Sequence, residues 1–279
     1  MISGRTALYG VLGHPVGHSL SPAMHNAAFR ELGIDAVYVA LPVAPEALLE
    51  GMRGAHALGF QGLNVTVPHK QRAAEVCTHL DDVARLCGAA NTLRRTSEGW
   101  EGFNTDAPAC LALLQAAGVQ RGARALLLGA GGAALAGAWA LLGAGAEVMV
   151  AARRAEAADE LCHRMLAGAT GEQVARPVEW EDASGLAEGA DVVVNATSIG
   201  LGGKSEALPP FRFHRGQTVV DFVYGETAFA RVARESGATL VTGEQVLVRQ
   251  GALAFTLWTG KPAPEAVMAA ALRPSTPPP

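Results

Sequence analysis

The sequence predicts an α/β fold of two domains, one of which is a Rossmann-type, doubly wound parallel sheet. Strand-like and helix-like segments alternate along most of the chain, which is the order that α/β folds need. The strands of the middle third are near-continuous runs of Val and Leu, typical of parallel strands buried on both faces. A length of 279 residues, of which 49% are apolar, suits two modest domains with a sizeable core.

The first third supplies strands and helices in turn. Its predicted strands are Ala7–Leu12, Val37–Leu41 and Leu63–Val67. Pro68 ends the last of them because proline cannot donate to a strand ladder. One helix is predicted with Ser21 as its N-cap and Pro22 at the first helical position, running to Leu32. Further helices are predicted at Pro45–Leu58, Gln71–Cys77 and Asp81–Leu86.

The rest of the chain continues the α/β alternation after a hairpin. The hairpin joins Thr92–Arg94 to Trp100–Phe103 through a turn at Glu98-Gly99. Five strands are then predicted at Arg124–Leu128, Glu147–Ala151, Val192–Asn195, Val219–Val223 and Thr239–Val241. The predicted helices are Ala107–Ala117, Ala133–Leu142, Arg154–Leu166, Glu244–Trp258 and Pro264–Leu272. The proline-rich end, Ser275–Pro279, predicts a disordered tail.

Charge, hydropathy and cysteine spacing restrict the classes of protein to which this chain can belong. The chain carries 22 basic and 26 acidic residues, a net charge of −4, which argues against a nucleic-acid partner. Neither a signal peptide nor a membrane span is recognisable, and the four cysteines form no Cys-x-x-Cys pair. These features predict a cytoplasmic enzyme with a small-molecule substrate, either a monomer or a homodimer.

A glycine-rich turn carries the strongest single signal. Gly129-Ala130-Gly131-Gly132-Ala133-Ala134 directly follows a predicted strand and opens a predicted helix. Glycines at this place allow a sharp turn and the close approach of a pyrophosphate, while Ala134 permits close packing of helix on strand. Unpaired N–H groups and the helix dipole would hold the phosphates. The turn predicts a dinucleotide site.

The second strand of the nucleotide unit indicates which coenzyme binds. A NAD site usually places Asp or Glu about 20 residues after the glycines. Here the strand is followed by Arg153 and Arg154 with no acid. Arginine binds phosphate with a planar, permanently charged fork, so the pair predicts NADP. The alternative is that the two arginines merely begin a solvated helix.

Polar residues outside the nucleotide unit gather where strands end and helices begin. Ser19 and Ser21 place two hydroxyls at a helix N-terminus, where a carboxylate is favoured, although capping alone explains one of them. Lys70 follows Asn64 and Thr66 beyond a strand end, where a lysine can exchange a proton with a carbonyl or an alcohol. The alternative interpretation is that Lys70 is an ordinary solvated surface lysine.

Further along, Asn91, Asn104 and Asp106 flank the hairpin. Singly they read as turn or capping residues. Together with the serines and Lys70 they predict a pocket for a polyhydroxylated acid. His14 and His18 have four-residue spacing but lie in a Gly/Pro loop, so no metal site is predicted.

Several motifs in one order make the chain resemble the shikimate dehydrogenases. They are His18-Ser19-Leu20-Ser21-Pro22, Asn64-Val65-Thr66-Val67-Pro68-His69-Lys70, Gly102-Phe103-Asn104-Thr105-Asp106, the glycine turn, Asn195-Ala196-Thr197-Ser198-Ile199-Gly200, Asp221-Phe222-Val223-Tyr224 and Gln250. The resemblance implies NADPH-dependent reduction of 3-dehydroshikimate to shikimate, on the route to the aromatic amino acids. It implies a substrate domain at 1–106 completed by 244–279, and a NADP-binding Rossmann domain at 107–243.

The resemblance also implies a role for each matching residue. Ser19 and Ser21 bind the substrate carboxylate, with Tyr224 nearby. The hydroxyls of the substrate are bound by Thr66, Asn91, Asp106 and Gln250. Lys70 is the catalytic lysine and pairs with Asp106. NADP is held by the Gly129–Ala134 turn, by Arg153 and Arg154, and by the turn Asn195-Ala196-Thr197-Ser198.

The chain departs from the family pattern at three places. Ala152-Arg153-Arg154 replaces the usual Asn-Arg-Thr, Leu201 replaces a Met, and Gly225-Glu226-Thr227 shortens the usual Asn-Pro segment after Tyr224. Two other functions stay open. A quinate/shikimate dehydrogenase would favour NAD and an acid near Ala155, and a non-catalytic nucleotide-binding homologue would have lost Lys70 or Asp106.

Overall fold

A computed structural model describes residues 2–167, 173–199 and 209–273. The predicted α/β class is confirmed, and the chain forms two compact units. Unit 1 contains the chain up to Thr105 and from Leu247 onward, and unit 2 is Asp106–Val246. Among the residues described, no helix is both long and apolar enough to span a membrane.

Unit 1 is built on a six-stranded mixed sheet. Its strands are β1 (Ala7–Gly13), β2 (Ala36–Pro42), β3 (Phe60–Val65), β4 (His79–Leu80), β5 (Thr92–Arg95) and β6 (Trp100–Phe103). The order across the sheet is β2-β1-β3-β5-β6-β4. The first three strands run parallel, and β5 and β6 form the predicted antiparallel hairpin. The carboxyl ends of β1 and β3 therefore meet at one edge, with Leu12 opposite Val65.

The helices of unit 1 differ from the sequence predictions mainly at their ends. They are α1 (Ser21–Glu31), α2 (Leu48–Ala57), α3 (Lys70–Val76) and α4 (Asp82–Cys87). The predicted helix from Pro45 begins with a separate 3-10 turn at Pro45–Ala47. The prediction that Ser21 caps α1 was wrong. The cap position is Leu20, whose side chain makes no capping hydrogen bond, and Ser21 is the first residue of the helix.

Two strand predictions in unit 1 also need correction. β3 ends at Val65 rather than Val67, because the chain turns at once and the His69 N–H donates to the Thr66 carbonyl at 2.9 Å. The two-residue strand β4 was missed because two residues carry no readable periodicity. The core of this unit packs α2 and α3 on the sheet through buried residues that include Leu12, Met52, Leu63, Ala73 and Trp100.

Unit 2 is built on a six-stranded parallel sheet. Its strands are β7 (Arg124–Leu128), β8 (Glu147–Ala151), β9 (Ala175–Val178), β10 (Val192–Asn195), β11 (Thr218–Asp221) and β12 (Thr239–Val241). The order β12-β11-β10-β7-β8-β9 reverses direction at β7, which is the doubly wound Rossmann arrangement. The edge strand β9 was missed because Arg176-Pro177 breaks its apolar pattern, and an edge strand tolerates proline.

Helices cover the sheet of unit 2. They are α5 (Asp106–Ala116), α6 (Gly132–Gly143), α7 (Ala155–Ala167), α8 (Ala183–Glu188) and α9 (Ala228–Glu235). Asp106 was predicted to precede a helix as its cap but is the first residue of α5. β11 ends at Asp221, earlier than the predicted Val223, because the Val223 N–H donates to the Asp221 carboxylate at 3.1 Å. Leu126, Leu128, Val193 and Val219 lie in the buried core.

Two helices close the chain. α10 (Gly243–Thr259) begins in unit 2 and ends in unit 1, and α11 (Glu265–Ala270) belongs to unit 1. The Trp258 indole N–H donates to the Leu93 carbonyl at 2.9 Å, which fixes the end of α10 to β5. The predicted tail Ser275–Pro279 and the family position Leu201 lie outside the described residues.

Candidate active site

The loop after β1 brings the two predicted serines together. The Ser19 N–H donates to the Val16 carbonyl at 3.0 Å, and the Ser21 N–H donates to Ser19 Oγ at 3.3 Å. Ser21 is buried at the first turn of the eleven-residue helix α1. Since Ser21 is not the cap, capping no longer accounts for its hydroxyl. Two hydroxyls at the positive end of a helix form a suitable environment for a carboxylate.

Asn64 in β3 is hydrogen-bonded to two other segments of unit 1. Its Nδ2 donates to the Asn91 carbonyl at 3.1 Å and to Thr92 Oγ1 at 3.0 Å, while its Oδ1 accepts from the Tyr38 hydroxyl at 2.7 Å. Every one of these residues is buried. Because the buried polar groups are satisfied, the amide of Asn64 has one defined orientation.

Thr66 and Lys70 follow β3 directly. Thr66 is half-buried in the turn, and Lys70 is the first residue of α3. The Lys70 carbonyl accepts from the Ala90 N–H at 2.9 Å, and the buried His69 ring bonds to the Val43 carbonyl at 2.7 Å. The backbone of Lys70 is therefore fixed beside the segment that leads into Asn91.

Asn91 is the centre of a buried network of amides and hydroxyls. Its Oδ1 accepts from the Thr105 N–H at 2.7 Å, and its Nδ2 donates to Thr105 Oγ1 at 3.0 Å and to Gln250 Oε1 at 3.3 Å. Gln250 Nε2 in turn donates to the Leu247 carbonyl at 2.8 Å. The structure thus brings together Asn91 and Gln250, which are far apart in sequence.

Asp106 follows Thr105 in the chain and is 7% exposed at the start of α5. It belongs to unit 2, whereas Lys70 belongs to unit 1. The pairing of Lys70 with Asp106 remains a prediction.

The glycine turn of unit 2 has the geometry that a pyrophosphate site needs. Gly129 has φ +105°, and a Cβ there would lie 3.0 Å from the Ala196 carbonyl oxygen, so only glycine fits. Gly131 is the cap residue of α6, and in the described chain no atom lies within 4 Å of the Cβ it lacks. Ala134 is buried, as close packing of helix on strand requires. Among the described residues, nothing occupies the space beside Gly131 at the N-terminus of the twelve-residue helix α6, where an anion is favoured.

Arg153 and Arg154 lie one strand away from the glycine turn. They connect β8 to α7, and both side chains are exposed. Since β8 pairs directly with β7, this connection is where a ribose attached to the pyrophosphate extends in doubly wound folds. Helix α7 begins at Ala155, and the Arg154 carbonyl accepts from the Ala157 N–H at 3.1 Å, so Arg154 stands at the start of this helix.

The turn after β10 lies on the other side of β7. Asn195 Oδ1 accepts from the Thr197 N–H at 3.1 Å and from Thr197 Oγ1 at 2.7 Å. The Ile199 N–H donates to Thr197 Oγ1 at 3.2 Å. Ala196 is buried against Gly129, while Ser198 is exposed. The turn is therefore held by internal hydrogen bonds and adjoins the glycine turn at the carboxyl edge of the sheet.

The shortened segment after Tyr224 is held in place by α10. The Gly225 N–H donates to Glu244 Oε1 at 2.7 Å, and a Cβ at Gly243 would lie 2.5 Å from the Val223 carbonyl oxygen. Tyr224 itself is half-buried. The segment therefore keeps a defined path despite lacking the usual Asn-Pro.

Sequence reasoning gave no site role to Thr105 and Asp221, and it did not foresee how they are bonded. Both lie inside motifs that the sequence displays, Thr105 beside Asp106 and Asp221 at the end of β11. The sequence feature that could have identified them is a polar side chain at the carboxyl end of a strand, where the binding sites of α/β folds lie. Across the described ranges, no three His, Cys, Asp or Glu side chains cluster as metal ligands would. The absence of a metal requirement stays a prediction.

Comparison with known proteins supplies the family. Residues 11–93 match the model of the shikimate dehydrogenase substrate binding domain, and residues 243–273 match that of the shikimate 5'-dehydrogenase C-terminal domain. A protein of Anaeromyxobacter dehalogenans named shikimate dehydrogenase (NADP(+)) is 68% identical over 272 residues, covering 98% of each chain. The chain belongs to the shikimate dehydrogenase family. The resemblance drawn from its motifs is thereby confirmed.

Solved structures of shikimate dehydrogenases share the fold. The enzyme from Aquifex aeolicus has a TM-score of 0.89 at 35% identity, covering 98% of this chain and 100% of that one. The enzyme from Thermus thermophilus, in complex with NADP(H) and shikimate, has a TM-score of 0.84 at 38% identity, covering 96% and 98%. The two-domain architecture of this family is thus the architecture of this chain.

Proposed function

We propose that this protein catalyses the reversible, NADPH-dependent reduction of 3-dehydroshikimate to shikimate, a step of the route to the aromatic amino acids. One observation carries the proposal. A buried network centred on Asn91 fixes hydrogen-bonding groups beside Lys70, in a chain that also carries a doubly wound sheet with an open glycine turn. The NADP-dependent shikimate dehydrogenases to which the chain is similar support the same reaction.

On the substrate side, Ser19 and Ser21 bind the carboxylate at the N-terminus of α1, with Tyr224 nearby. The hydroxyls are bound by Thr66, Asn91, Asp106 and Gln250. The bond between the buried amides of Asn91 and Gln250 supports this assignment, because polar groups that are already oriented suit the recognition of a hydroxyl.

Lys70 acts on the reacting oxygen. As the carbonyl becomes an alkoxide, the Lys70 ammonium stabilises the growing charge and donates a proton, with Asp106 as its partner. In the reverse direction the neutral amine of Lys70 accepts the hydroxyl proton. NADPH, when bound, supplies the hydride. The fixed backbone of Lys70 supports this role, because a positioned acid must stay within hydrogen-bonding reach of the oxygen.

On the coenzyme side, the Gly129–Ala134 turn holds the pyrophosphate, and Arg153 and Arg154 hold the 2′-phosphate. The turn Asn195-Ala196-Thr197-Ser198 completes the site. The open N-terminus of α6 and the two exposed cations one strand away support a preference for NADP over NAD. In this proposal, 1–106 with 244–279 form the substrate domain and 107–243 form the NADP domain, although Asp106 and residues 244–246 group with unit 2 in the structure. The cytoplasm is the proposed compartment.

Oxidation of shikimate and of quinate, compared side by side with NADP⁺, tests the choice of substrate. Quinate carries an additional hydroxyl on the carbon that bears the carboxylate, where Ser19 and Ser21 bind. An unpaired buried polar group costs about 1–3 kcal/mol, and a steric clash with the added hydroxyl adds to that cost. We therefore expect kcat/KM for shikimate to exceed that for quinate at least roughly tenfold. Comparable efficiencies would move the protein to the quinate/shikimate dehydrogenases. Tight NADPH binding without turnover of either acid would favour a non-catalytic homologue.

A further inference from the structure

Asp221 is a buried carboxylate at the end of β11 that the proposed reaction does not use. Its side chain is 0% exposed. Burial raises the pKa of this carboxyl above its ordinary value, opposed by hydrogen bonds from Thr227, Val223 and Asn195, and Glu244 raises it further. Burying a carboxylate costs free energy unless hydrogen bonds compensate. The hydrogen bonds of Asp221 therefore identify the segments that this carboxylate holds in place.

One branch of these bonds leads to the turn that follows β10. The Asn195 Nδ2 donates to Asp221 Oδ1 at 3.0 Å. Because an ionised carboxylate only accepts, it fixes the amide of Asn195 with its oxygen directed the other way. That oxygen receives the N–H and the hydroxyl of Thr197. The shape of the Asn195–Ser198 turn is therefore set through Asn195 by Asp221.

A second branch holds the segment that contains Tyr224. The Val223 N–H donates to Asp221 Oδ1 at 3.1 Å, and the Thr227 hydroxyl donates to Oδ2 at 2.5 Å. Thr227 Oγ1 also accepts from the Ala230 N–H at 2.9 Å and so caps α9. One carboxylate thus fixes the segment at Val223 and Thr227, on either side of Tyr224.

The position of the turn predicts which part of a dinucleotide it meets. In the sheet, β10 and β8 lie on opposite sides of β7, which carries the glycine turn. A coenzyme whose pyrophosphate lies at β7 and whose 2′-phosphate lies at Arg153 and Arg154 places its nicotinamide half on the β10 side. The Asn195–Ser198 turn thus faces the half that NADPH and NADH have in common.

We propose that Asp221 is a positioning residue for coenzyme binding, holding the Asn195–Ser198 turn in its binding arrangement through the Asn195 amide. This inference rests on the proposed function, since it takes the turn as part of the NADP site. It adds a residue outside the set assigned to that site. It also predicts a different result from that of Arg153→Ala. Substitution of Asp221 weakens the binding of NADPH and of NADH alike, whereas substitution of Arg153 weakens the binding of NADPH alone.

Asp221→Ala and Asp221→Asn test the proposal, with dissociation constants for NADPH and NADH measured by the fluorescence of the bound reduced nicotinamide. Hydrogen bonds to charged groups are strong enough that we expect Asp221→Ala to raise both constants by the same factor, roughly tenfold or more. Asp221→Asn keeps one acceptor oxygen for Asn195 and should fall between Asp221→Ala and the wild type. It also serves as the test if Asp221→Ala does not fold.

Gln217 provides a matched control at the opposite end of the same strand. It is 1% exposed and, like Asp221, makes three side-chain hydrogen bonds, here with Ala187, Ala190 and His214. Gln217→Ala should lower Tm but leave the dissociation constants for NADPH and NADH within about twofold of the wild type, because Gln217 is distant from the proposed coenzyme site. Thr227→Val should do the same, because it spares the bond to Asn195.

Each result decides a separate point. Asp221 variants that bind both coenzymes as the wild type does would overturn the proposal, as would a loss confined to NADPH. An equal loss in Thr227→Val would also overturn it, by showing that the Tyr224 segment rather than Asn195 transmits the effect. Failure of the wild type itself to bind NADPH would instead refute the proposed function.

Discussion

At the scale of single residues, the preference for NADP depends on two exposed arginines. A charge-assisted hydrogen bond contributes about 1.5–3 kcal/mol, so Arg153→Ala or Arg154→Ala should weaken NADPH binding roughly 10- to 100-fold. NADH lacks the 2′-phosphate and should bind almost as before. Dissociation constants for the two coenzymes measure this directly. The 2′-phosphate assignment would be wrong if Arg153→Ala weakened both equally.

His25 is a second informative residue because its ring is fully buried in α1. Both ring nitrogens lack a hydrogen-bond partner among the described residues, and the ring stacks on Tyr38 with centroids 4.4 Å apart. Burial lowers the pKa of His25 from 6.5 to about 3. The unfolded chain therefore binds a proton that the folded chain refuses, and stability falls as the pH drops from 6.5 towards 3.

His25→Phe keeps an aromatic ring and removes the titration. One proton changes the free energy of unfolding by up to about 1.4 kcal/mol per pH unit. The variant should therefore lose about 1–3 kcal/mol less stability than the wild type between neutral pH and about pH 4. Urea denaturation at a series of pH values measures the difference. His79→Gln, at an exposed position, is the control and should lose stability in acid as the wild type does. If His25→Phe loses as much stability in acid as His79→Gln, then His25 is not the group that destabilises the folded chain.

At the scale of elements, the glycine turn connects the backbone of β7 and α6 to the turn after β10. Gly129→Ala would place a methyl group 3.0 Å from the Ala196 carbonyl oxygen at a residue with φ +105°. Because both the clash and the left-handed backbone are unfavourable, we expect a loss of at least about 1 kcal/mol in stability and weaker NADPH binding.

Gly185→Ala is the matched control in the same unit. Gly185 lies inside α8, and the described chain leaves open space around the Cβ it lacks. Alanine there should stabilise the helix by about 0.5–1 kcal/mol and leave NADPH binding unchanged. Thermal denaturation and coenzyme titration of both variants provide the comparison. Equal Tm values for Gly129→Ala and the wild type would show that the turn tolerates a side chain.

The elements also show where sequence reasoning succeeds. The apolar strand β7 and the glycine turn between β7 and α6 were predicted correctly because each depends on local chemistry. The short strand β4 and the edge strand β9 were missed, since neither has a readable pattern. The cap of α1 was misassigned by one residue because Ser21-Pro22 fits either of two helix starts.

The candidate site was predictable in part for a similar reason. The sequence singles out Asn91 and Gln250, but their bond joins residues 159 positions apart and appears only in the fold. The roles of Thr105 and Asp221 likewise depend on partners that fold next to them. A motif thus supplies the residue types, and tertiary structure supplies the bonds that orient them.

At the scale of the whole molecule, each unit has its own sheet and its own core. Unit 1 carries the amide and hydroxyl network, and unit 2 carries the glycine turn and the arginines. The chain passes from one unit to the other between Thr105 and Asp106 and again within α10. In the proposed function, the first set of residues serves the substrate and the second serves the coenzyme, while Asp106 and Tyr224 of unit 2 also serve the substrate.

Reduction of 3-dehydroshikimate by NADPH, followed by the loss of reduced-nicotinamide absorbance, tests the central claim most directly. The wild type should turn over, and Lys70→Ala should lower kcat roughly 10²–10⁴-fold, the usual range for acid–base catalysis. Its KM should change much less, because the lysine acts mainly in the transition state. A wild type without turnover, or a Lys70→Ala variant that keeps more than half of the wild-type kcat, would contradict the account.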